Sequence, residues 1–224
     1  SGSHVYADNG TYTVTVCVKD DDNDQTCDTL LVTVSNATPT ITPSSGAETF
    51  EGTPVGVQLA TLQDQGTADT HTATINWGDG SPVQNAVLSE TPFGPPGATS
   101  GTNGTIYGSH LYVDDGNFTV TVTVKDDEGA TATTTLSITV KNTPPVVTMS
   151  GPSSSNEGQT QAYTFTVTDA GADTWTFTPG YPNCGSVGTV VSGSLAITAT
   201  GGSFTCLFLD GAHTSVVAVQ AVDS

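Results

Sequence analysis

The sequence predicts an all-β protein made of tandem β-sandwich modules. The 224-residue chain contains 25 glycines and 12 prolines, which favour turns, among many threonines and valines, which favour strands. Apolar and polar residues alternate with a period of two in several segments, and no helical apolar stripe is present. One segment also recurs at a fixed offset, which indicates repeated domains.

The recurring segment spans residues 3–36 and 109–142, which align without a gap at an offset of 106 residues. A period of that length corresponds to a whole domain rather than to a short solenoid unit. We therefore predict the C-terminal half of a module at 1–37 and a complete module at 38–142. A diverged module that lacks its last strand is predicted at 143–224.

Each copy of the repeat predicts a hairpin. Tyr12–Val18 and Phe118–Val124 alternate apolar and polar residues, which places one apolar face toward a core and one Thr-rich face toward solvent. An acidic loop follows, and a second strand returns through Leu30–Val34 or Leu136–Val140. Short linkers that contain proline come next and mark the module boundaries.

The same reasoning predicts the other elements. In the middle module, Glu51–Pro54 opens the sheet, Thr72–Trp77 forms a strand and Thr91–Gly104 forms a long loop. In the third module, Ala162–Thr168 and Ser215–Val222 are predicted strands. Because both terminal modules are incomplete, we expect a fragment of a longer polypeptide whose signal or anchor lies elsewhere.

A motif in the middle module identifies a family resemblance. Trp77-Gly78-Asp79-Gly80-Ser81, followed by Ser109-His110-Leu111-Tyr112 and by Gly116 to Asp126, resembles the polycystic kidney disease (PKD) domain. The resemblance is clear for 66–142, covers half a module at 3–36 and is weak for 145–224. It implies a seven-stranded immunoglobulin-like sandwich in which Trp77 and Tyr112 are packing residues. PKD modules serve as spacers or adhesive units of surface proteins, or as accessory modules of secreted hydrolases.

The charge of the chain is strongly negative. Asp and Glu number 22 against three lysines and no arginine, for a formal charge of -19. Such a surface repels nucleic acid and anionic membranes, and no apolar run is long enough to insert into a bilayer. Two interpretations of the acidity remain open, namely solubility in an extracellular setting and clusters of carboxylates that hold Ca²⁺.

Calcium is the one cofactor that the acidic loops suggest. Ca²⁺ prefers six to eight oxygen ligands, which a flexible loop of Asp and Asn supplies. The candidate ligands are Asp20, Asp22 and Asp24 in the first hairpin loop, and Asp126, Asp127 and Glu128 in the second. Solvated turns would have the same composition, and no complete EF-hand loop is present.

The four cysteines predict two disulfides in an oxidising compartment. The hairpin brings Cys17 and Cys27 within reach of each other, which leaves Cys184 and Cys206 to pair in the third module. Four buried free thiols are the alternative. Four N-glycosylation sequons occur in turns, linkers or strand starts, at Asn9, Asn36, Asn103 and Asn117.

No catalytic site is predicted. The pairs Ser3-His4 and Ser109-His110 invite comparison with a nucleophile and its base. Neighbouring side chains in a strand point apart, and their repetition in two modules favours a structural role. His71 and His213 have no partner pattern in the sequence.

The favoured function is therefore structural, as a rigid spacer of a cell-surface or filament protein in the extracellular space. The incomplete ends suggest completion by another copy of the chain through strand addition. Neighbouring modules are the expected partners, with glycans as a further class. The alternative is an adhesion module that binds carbohydrate or protein through a loop such as Thr91–Gly104, which contains Phe93.

Overall fold

The computed structural model describes residues 2–91, 98–211 and 213–223, and their regular secondary structure consists of β-strands alone. The first two strands form an antiparallel hairpin, β1 (Gly10–Lys19) and β2 (Gln25–Val34). Cys17 lies directly opposite Cys27 in this ladder. The intervening turn is held by Asp20, whose Oδ1 accepts hydrogen bonds from the backbone N–H groups of Asp22 and Asp24, at 3.2 and 2.8 Å.

Residues 40–141 form two sheets from nine strands. The strands are β3 (Thr40–Pro43), β4 (Ala47–Phe50), β5 (Pro54–Asp64), β6 (His71–Asn76), β7 (Gln84–Asn85), β8 (Val87–Glu90), β9 (Thr102–Leu111), β10 (Gly116–Asp126) and β11 (Thr131–Lys141). One sheet has the order β4-β11-β10-β6-β7 and the other β3-β5-β9-β8. This two-sheet arrangement agrees with the predicted sandwich.

The core of these two sheets follows the predicted alternation. On β10, Val120, Val122 and Val124 are fully buried, whereas the threonines between them remain accessible. Buried residues on the other strands complete this core: Leu59, Leu62, Ile75, Trp77, Ile106 and Ile138.

The apolar face of the first hairpin differs from its repeat counterpart. Val16 and Val18 are 63% and 65% exposed, although they correspond to the buried Val122 and Val124. Leu30 on β2, which lies on the same face, is similarly exposed. The prediction that this face points into a core is therefore wrong for the described residues, because no second sheet covers it there.

The third segment has seven strands. They are β12 (Val146–Ser150), β13 (Gln159–Thr168), β14 (Thr176–Phe177), β15 (Gly188–Val190), β16 (Ala196–Thr198), β17 (Gly201–Phe208) and β18 (Ala221–Val222). The main sheet has the order β12-β13-β17-β15, with β16 also on β17, and β14 pairs with β18. Tyr163, Phe165, Val167 and Phe204 form the core together with Cys184 and Cys206.

Two predicted element boundaries are wrong. The strand predicted over Ser215–Val222 is limited to β18 and one bridge from Ala218 to Asn183, because β14 offers only two residues for pairing. The loop predicted over Thr91–Gly104 ends earlier, because β9 begins at Thr102. Phe93, in that loop, lies outside the described residues.

The chain divides into two compact units. The first comprises Ser1–Thr49, Pro54–His110 and Asn117–Thr139, and the second comprises Phe50–Thr53, Leu111–Gly116 and Val140–Ser224. Within the described residues, there is no helix with the length and hydropathy needed to traverse a bilayer.

Candidate functional site

Each compact unit contains a cluster of carboxylates. In the first unit, Asp64, Asp69 and Asp126 form a group whose ligand atoms lie within 4.8 Å of one another, and Asp69 forms a second group with Asp127 and Glu128. We call these five residues the first acidic cluster. Two of them, Asp64 and Asp69, border a cleft of about 710 Å³ that Val5–Asn9 also line.

Strand ends and turns position the first acidic cluster. Asp64 ends β5 and Asp126 ends β10. Asp64 Oδ1 accepts a hydrogen bond from the backbone N–H of Gly66 at 2.8 Å. Asp126 accepts hydrogen bonds from Ala130 N at 2.7 Å and from Asn36 Nδ2 at 2.8 Å. These bonds fix the carboxylates in place while their negative charges remain close together.

Asp69 is the least satisfied member of the first acidic cluster. Its side chain is buried, and its Oδ2 has no hydrogen-bond partner. Burial raises its pKa to about 6, and the negative charges of Asp64, Glu128, Asp8 and Asp127 add to the shift. A buried carboxylate oxygen without a donor is costly, and a cation would remove that cost.

His71 also contacts the first acidic cluster. Its Nε2 lies 3.3 Å from Asp64 Oδ2, and its Nδ1 lies 2.7 Å from Glu90 Oε1. The sequence pattern did not reveal these partners, because the sheet brings together residues that are distant along the chain. His213, by contrast, is exposed and lies 3.5 Å from Asp210.

The second unit contains the second acidic cluster, which has six carboxylates. One group of ligand atoms within 4.8 Å comes from Glu51, Asp114, Asp115 and Asp173, and another from Asp169, Asp173 and Asp223. Together, the two acidic clusters contain eleven of the 22 Asp and Glu residues of the chain. The negative charge is therefore concentrated rather than spread evenly.

Glu51 has one satisfied and one unsatisfied oxygen. It is 1% exposed, and its Oε1 accepts a hydrogen bond from the backbone N–H of Thr143 at 2.7 Å. Its Oε2 is buried without a partner. The hydrogen bond to Oε1 orients the carboxylate, so Oε2 remains available to a ligand.

The same division occurs at Asp169 and Asp223. Asp169 Oδ1 accepts a bond from Gly171 N at 3.4 Å, and Asp223 Oδ1 accepts one from Asn142 Nδ2 at 2.9 Å. Their Oδ2 atoms are buried without partners, as are Asp173 Oδ2 and Asn142 Oδ1. Burial raises the pKa of Asp173 to about 6, and the charges of Glu51, Asp114, Asp169 and Asp223 contribute.

The two acidic clusters share a sequence arrangement. Asn36 bonds Asp126 as Asn142 bonds Asp223, and Asn36 and Asn142 are separated by the repeat offset of 106 residues. Asp64-Gln65-Gly66 and Asp169-Ala170-Gly171 have matching Asp-to-Gly hydrogen bonds. The resemblance between the clusters supports a common purpose, since it extends to the third segment, where the family motif is weak.

Oxygen-rich clusters of this kind suit Ca²⁺, which accepts carboxylate and amide oxygens in irregular geometry. Of the predicted ligands, Asp126, Asp127 and Glu128 lie in the first acidic cluster. Asp20, Asp22 and Asp24 form no group of three within the described part of the chain. The carboxylate of Asp20 instead caps its own turn.

Sequence reasoning missed most of the residues in these clusters. Runs of adjacent acids drew attention to the hairpin loops, whereas Glu51, Asp64, Asp69, Asp169, Asp173 and Asp223 are separated by many residues. One available signal was the recurrence of Asp-x-Gly at the end of β5 and directly after β13. Asp114 and Asp115 lie within the repeated segment but outside the acidic hairpin loops in which the sequence predicts ligands.

The Trp-Gly-Asp-Gly motif forms a turn whose tryptophan and aspartate side chains are held by hydrogen bonds. Trp77 is fully buried, stacks on His110 at a centroid distance of 4.9 Å and donates from Nε1 to Gln84 Oε1 at 3.1 Å. His110 Nε2 lies 2.7 Å from Asp79 Oδ2, which directs the histidine to the turn rather than to Ser109. Tyr112 is also fully buried.

Two glycines of the motif adopt left-handed backbone conformations. Gly78 has φ 82° and Gly80 has φ 85°. A Cβ at Gly78 would lie 2.4 Å from the carbonyl oxygen of Thr119, so no larger residue fits there.

Both disulfides are present, and the described residues include no free cysteine.

The four sequon asparagines differ in how accessible their side chains are. The side chain of Asn36 is occupied by Asp126, and that of Asn9 lies beside Asp8 and Glu128. Asn103 and Asn117 are exposed. Surface access therefore favours glycosylation at Asn103 and Asn117 over the other two.

Comparison with known proteins gives one family match, which covers less than half of the chain. A family model described as "Putative Ig domain" matches residues 38–141. No curated protein matches the chain.

The chain is similar to several solved structures. One is mouse clustered PcdhgC3 EC1-3, with a TM-score of 0.31, 15% identity, and coverage of 90% of this chain and 67% of that one. The complex of Dpr2 Ig1-Ig2 with DIP-Theta Ig1-Ig3 has a TM-score of 0.32, 13% identity, and coverage of 96% and 72%. The protocadherin gammaB7 EC3-6 cis-dimer has a TM-score of 0.35, 11% identity, and coverage of 95% and 82%.

Similarities of this size do not establish a shared fold or function. The family match instead agrees with the two sheets of residues 40–141: the chain contains an immunoglobulin-like domain over 38–141.

Proposed function

We propose that the chain is a non-catalytic part of an extracellular array of immunoglobulin-like modules whose segments are held rigid by Ca²⁺ at the two acidic clusters. The observation that carries this proposal is the set of buried carboxylate oxygens without donors, which includes Glu51 Oε2 and Asp69 Oδ2. Two disulfides favour an oxidising compartment outside the cell.

The proposed role of Ca²⁺ is to neutralise and tie together distant parts of the chain. In the first unit, it would join the turn after β5 to the turn after β10. In the second unit, it would join Glu51 and the Leu111–Gly116 segment to the turn after β13 and to Asp223. Without the cation, repulsion between the carboxylates favours local opening of these turns.

Thermal unfolding with and without calcium tests the proposal. We expect saturating Ca²⁺ to raise Tm by about 8 °C over the chelated protein, because ligand at about 100 times its Kd stabilises a fold by about 2.7 kcal/mol. The substitutions Glu51→Gln and Asp69→Asn should each reduce the increase. The control Asp22→Asn should retain it in full. An unchanged Tm in millimolar Ca²⁺ would contradict the proposal.

We also propose that a second copy of the chain completes the module of the first hairpin by adding strands that form a second sheet against its apolar face. The support is the exposed apolar face with Val16, Val18 and Leu30, whose counterparts in the middle module are buried in the core between its two sheets. A sheet with a similar inner face, such as that of another copy, has the chemistry to cover it.

A further inference from the structure

We propose that the second acidic cluster binds two divalent cations that share Asp173 as a bridging ligand. The inference rests on the proposed function, because it specifies the number and arrangement of cations at one of the sites assigned there. It follows from how the six carboxylates divide into groups.

The spacing of the ligand atoms argues for two cation positions. Ca²⁺ lies about 2.4 Å from each oxygen that it binds, so oxygens on opposite sides of one ion are at most about 5 Å apart. The set of Glu51, Asp114, Asp115 and Asp173 meets this limit, and so does the set of Asp169, Asp173 and Asp223. The six residues together do not form one such set. Asp173 belongs to both.

The unsatisfied oxygens argue that both positions are occupied. Glu51 of the first set has a buried Oε2 without a partner, and Asp169 and Asp223 of the second set each have a buried Oδ2 without a partner. A cation in either position alone would leave buried oxygens of the other set without a partner. The buried Oδ1 of Asn142 adds a neutral oxygen beside Asp223, to which its Nδ2 is bonded.

The charge of the cluster leads to the same stoichiometry. Six carboxylates carry six negative charges, of which a single divalent ion would neutralise only a third. Asp173 lies within ligand distance of carboxylates of both sets. A shared carboxylate between two metal ions is a stable arrangement when the ions lie about 4 Å apart.

The glycine at position 171 provides the space for this arrangement. A Cβ there would lie 2.5 Å from Asp173 Oδ2 and 2.6 Å from Glu51 Oε2. The two carboxylates therefore converge over a residue without a side chain.

Counting bound Ca²⁺ tests the inference in the full chain. The background carries Asp69→Asn and Asp127→Asn, which weaken the first acidic cluster, and the readout is native mass spectrometry across a calcium titration. We expect two ions per chain at the second acidic cluster. One ion would overturn the bridging arrangement but leave the proposed function intact, whereas no ion would overturn both.

Matched substitutions in the same background identify the shared ligand. Asp173→Asn should weaken both ions by at least tenfold, whereas Asp114→Asn and Asp223→Asn should each weaken one. The control Asp22→Asn should weaken neither. If Asp173→Asn weakens one ion only, the bridging role is wrong. Circular dichroism checks that each variant is folded, and pairwise broadening of the Mn²⁺ electron paramagnetic resonance signal, lost in Asp173→Asn, provides a second readout.

Discussion

At the scale of single residues, hydrogen bonds to Asp79 hold the Trp-Gly-Asp-Gly turn in place. Asp79 Oδ1 accepts bonds from the hydroxyl and backbone N–H of Ser81 at 2.6 and 3.0 Å, and Asp79 Oδ2 pairs with His110. Burial raises the pKa of Asp79, but the bonds from Ser81 and His110 outweigh it and lower the value to about 2. The ionised form of Asp79 is thus the one that the fold stabilises.

This shift predicts how Asp79 contributes to stability as pH changes. Because its folded pKa lies below the ordinary value of 3.8, the contribution is present above about pH 4 and is lost as pH falls toward 2. Asp79→Asn should therefore lower the free energy of unfolding by about 1–2 kcal/mol at pH 7.

Urea unfolding of the wild type and of Asp79→Asn at pH 7 and pH 2.5 measures this effect. The difference between the two proteins should shrink at the lower pH. The exposed control Asp21→Asn should match the wild type at pH 7. A difference that grows on acidification would show that Asp79 does not stabilise the fold in its ionised form.

At the scale of elements, the two disulfides lie in different environments. Cys17 and Cys27 are exposed partners across the β1–β2 ladder and are separated by 10 positions. Cys184 and Cys206 are separated by 22 positions, and both are buried in the core of the third segment. The second disulfide therefore closes the longer loop and also fills core volume.

Removal of each disulfide by a double alanine substitution should have unequal effects. Loop-closure entropy alone predicts a cost of about 3 kcal/mol in both cases, slightly more for the longer loop. Cys184→Ala with Cys206→Ala should cost at least about 1 kcal/mol more than Cys17→Ala with Cys27→Ala, because it also leaves a cavity. Guanidinium unfolding measures both. Equal costs would mean that the third segment relaxes to fill the cavity.

The strands themselves were largely predictable, because period-two alternation follows directly from the geometry of a pleated strand. β1, β10 and β13 all contain the segments predicted for them. β18 was not predictable in length, because its extent depends on the two-residue partner β14. Likewise, the acidic clusters depend on which strand ends meet in space, and no local pattern records the meeting of Glu51 with Asp173.

At the scale of the whole molecule, the negative charge has a local explanation. Half of the acidic residues lie in the two acidic clusters, so the proposed cation binding concerns only that half of the charge. The apolar face of the first hairpin is also exposed, and covering it with another apolar surface would be energetically favourable.

We predict that copies of the chain associate through this apolar face. Sedimentation velocity across a concentration series should show oligomers if a second copy covers the hairpin face. Val16→Asp should weaken the association at least tenfold, because it places a charge within the covered face. Val83→Asp is a matched control, since Val83 is 60% exposed elsewhere in the same unit. A monomer at all concentrations, or equal effects of the two substitutions, would overturn strand addition between copies.

The glycines beside the clusters have a consequence for recognising related chains. A Cβ at Gly66 would lie 2.1 Å from Asp69 Oδ2, and one at Gly171 would collide with Asp173 in the same way. Each glycine follows an Asp by two positions and precedes another Asp by two or three, and an Asn lies 27 or 28 positions before the first Asp. That spaced signature, rather than the Trp-Gly-Asp-Gly motif, is the trait by which diverged members of such arrays can be found.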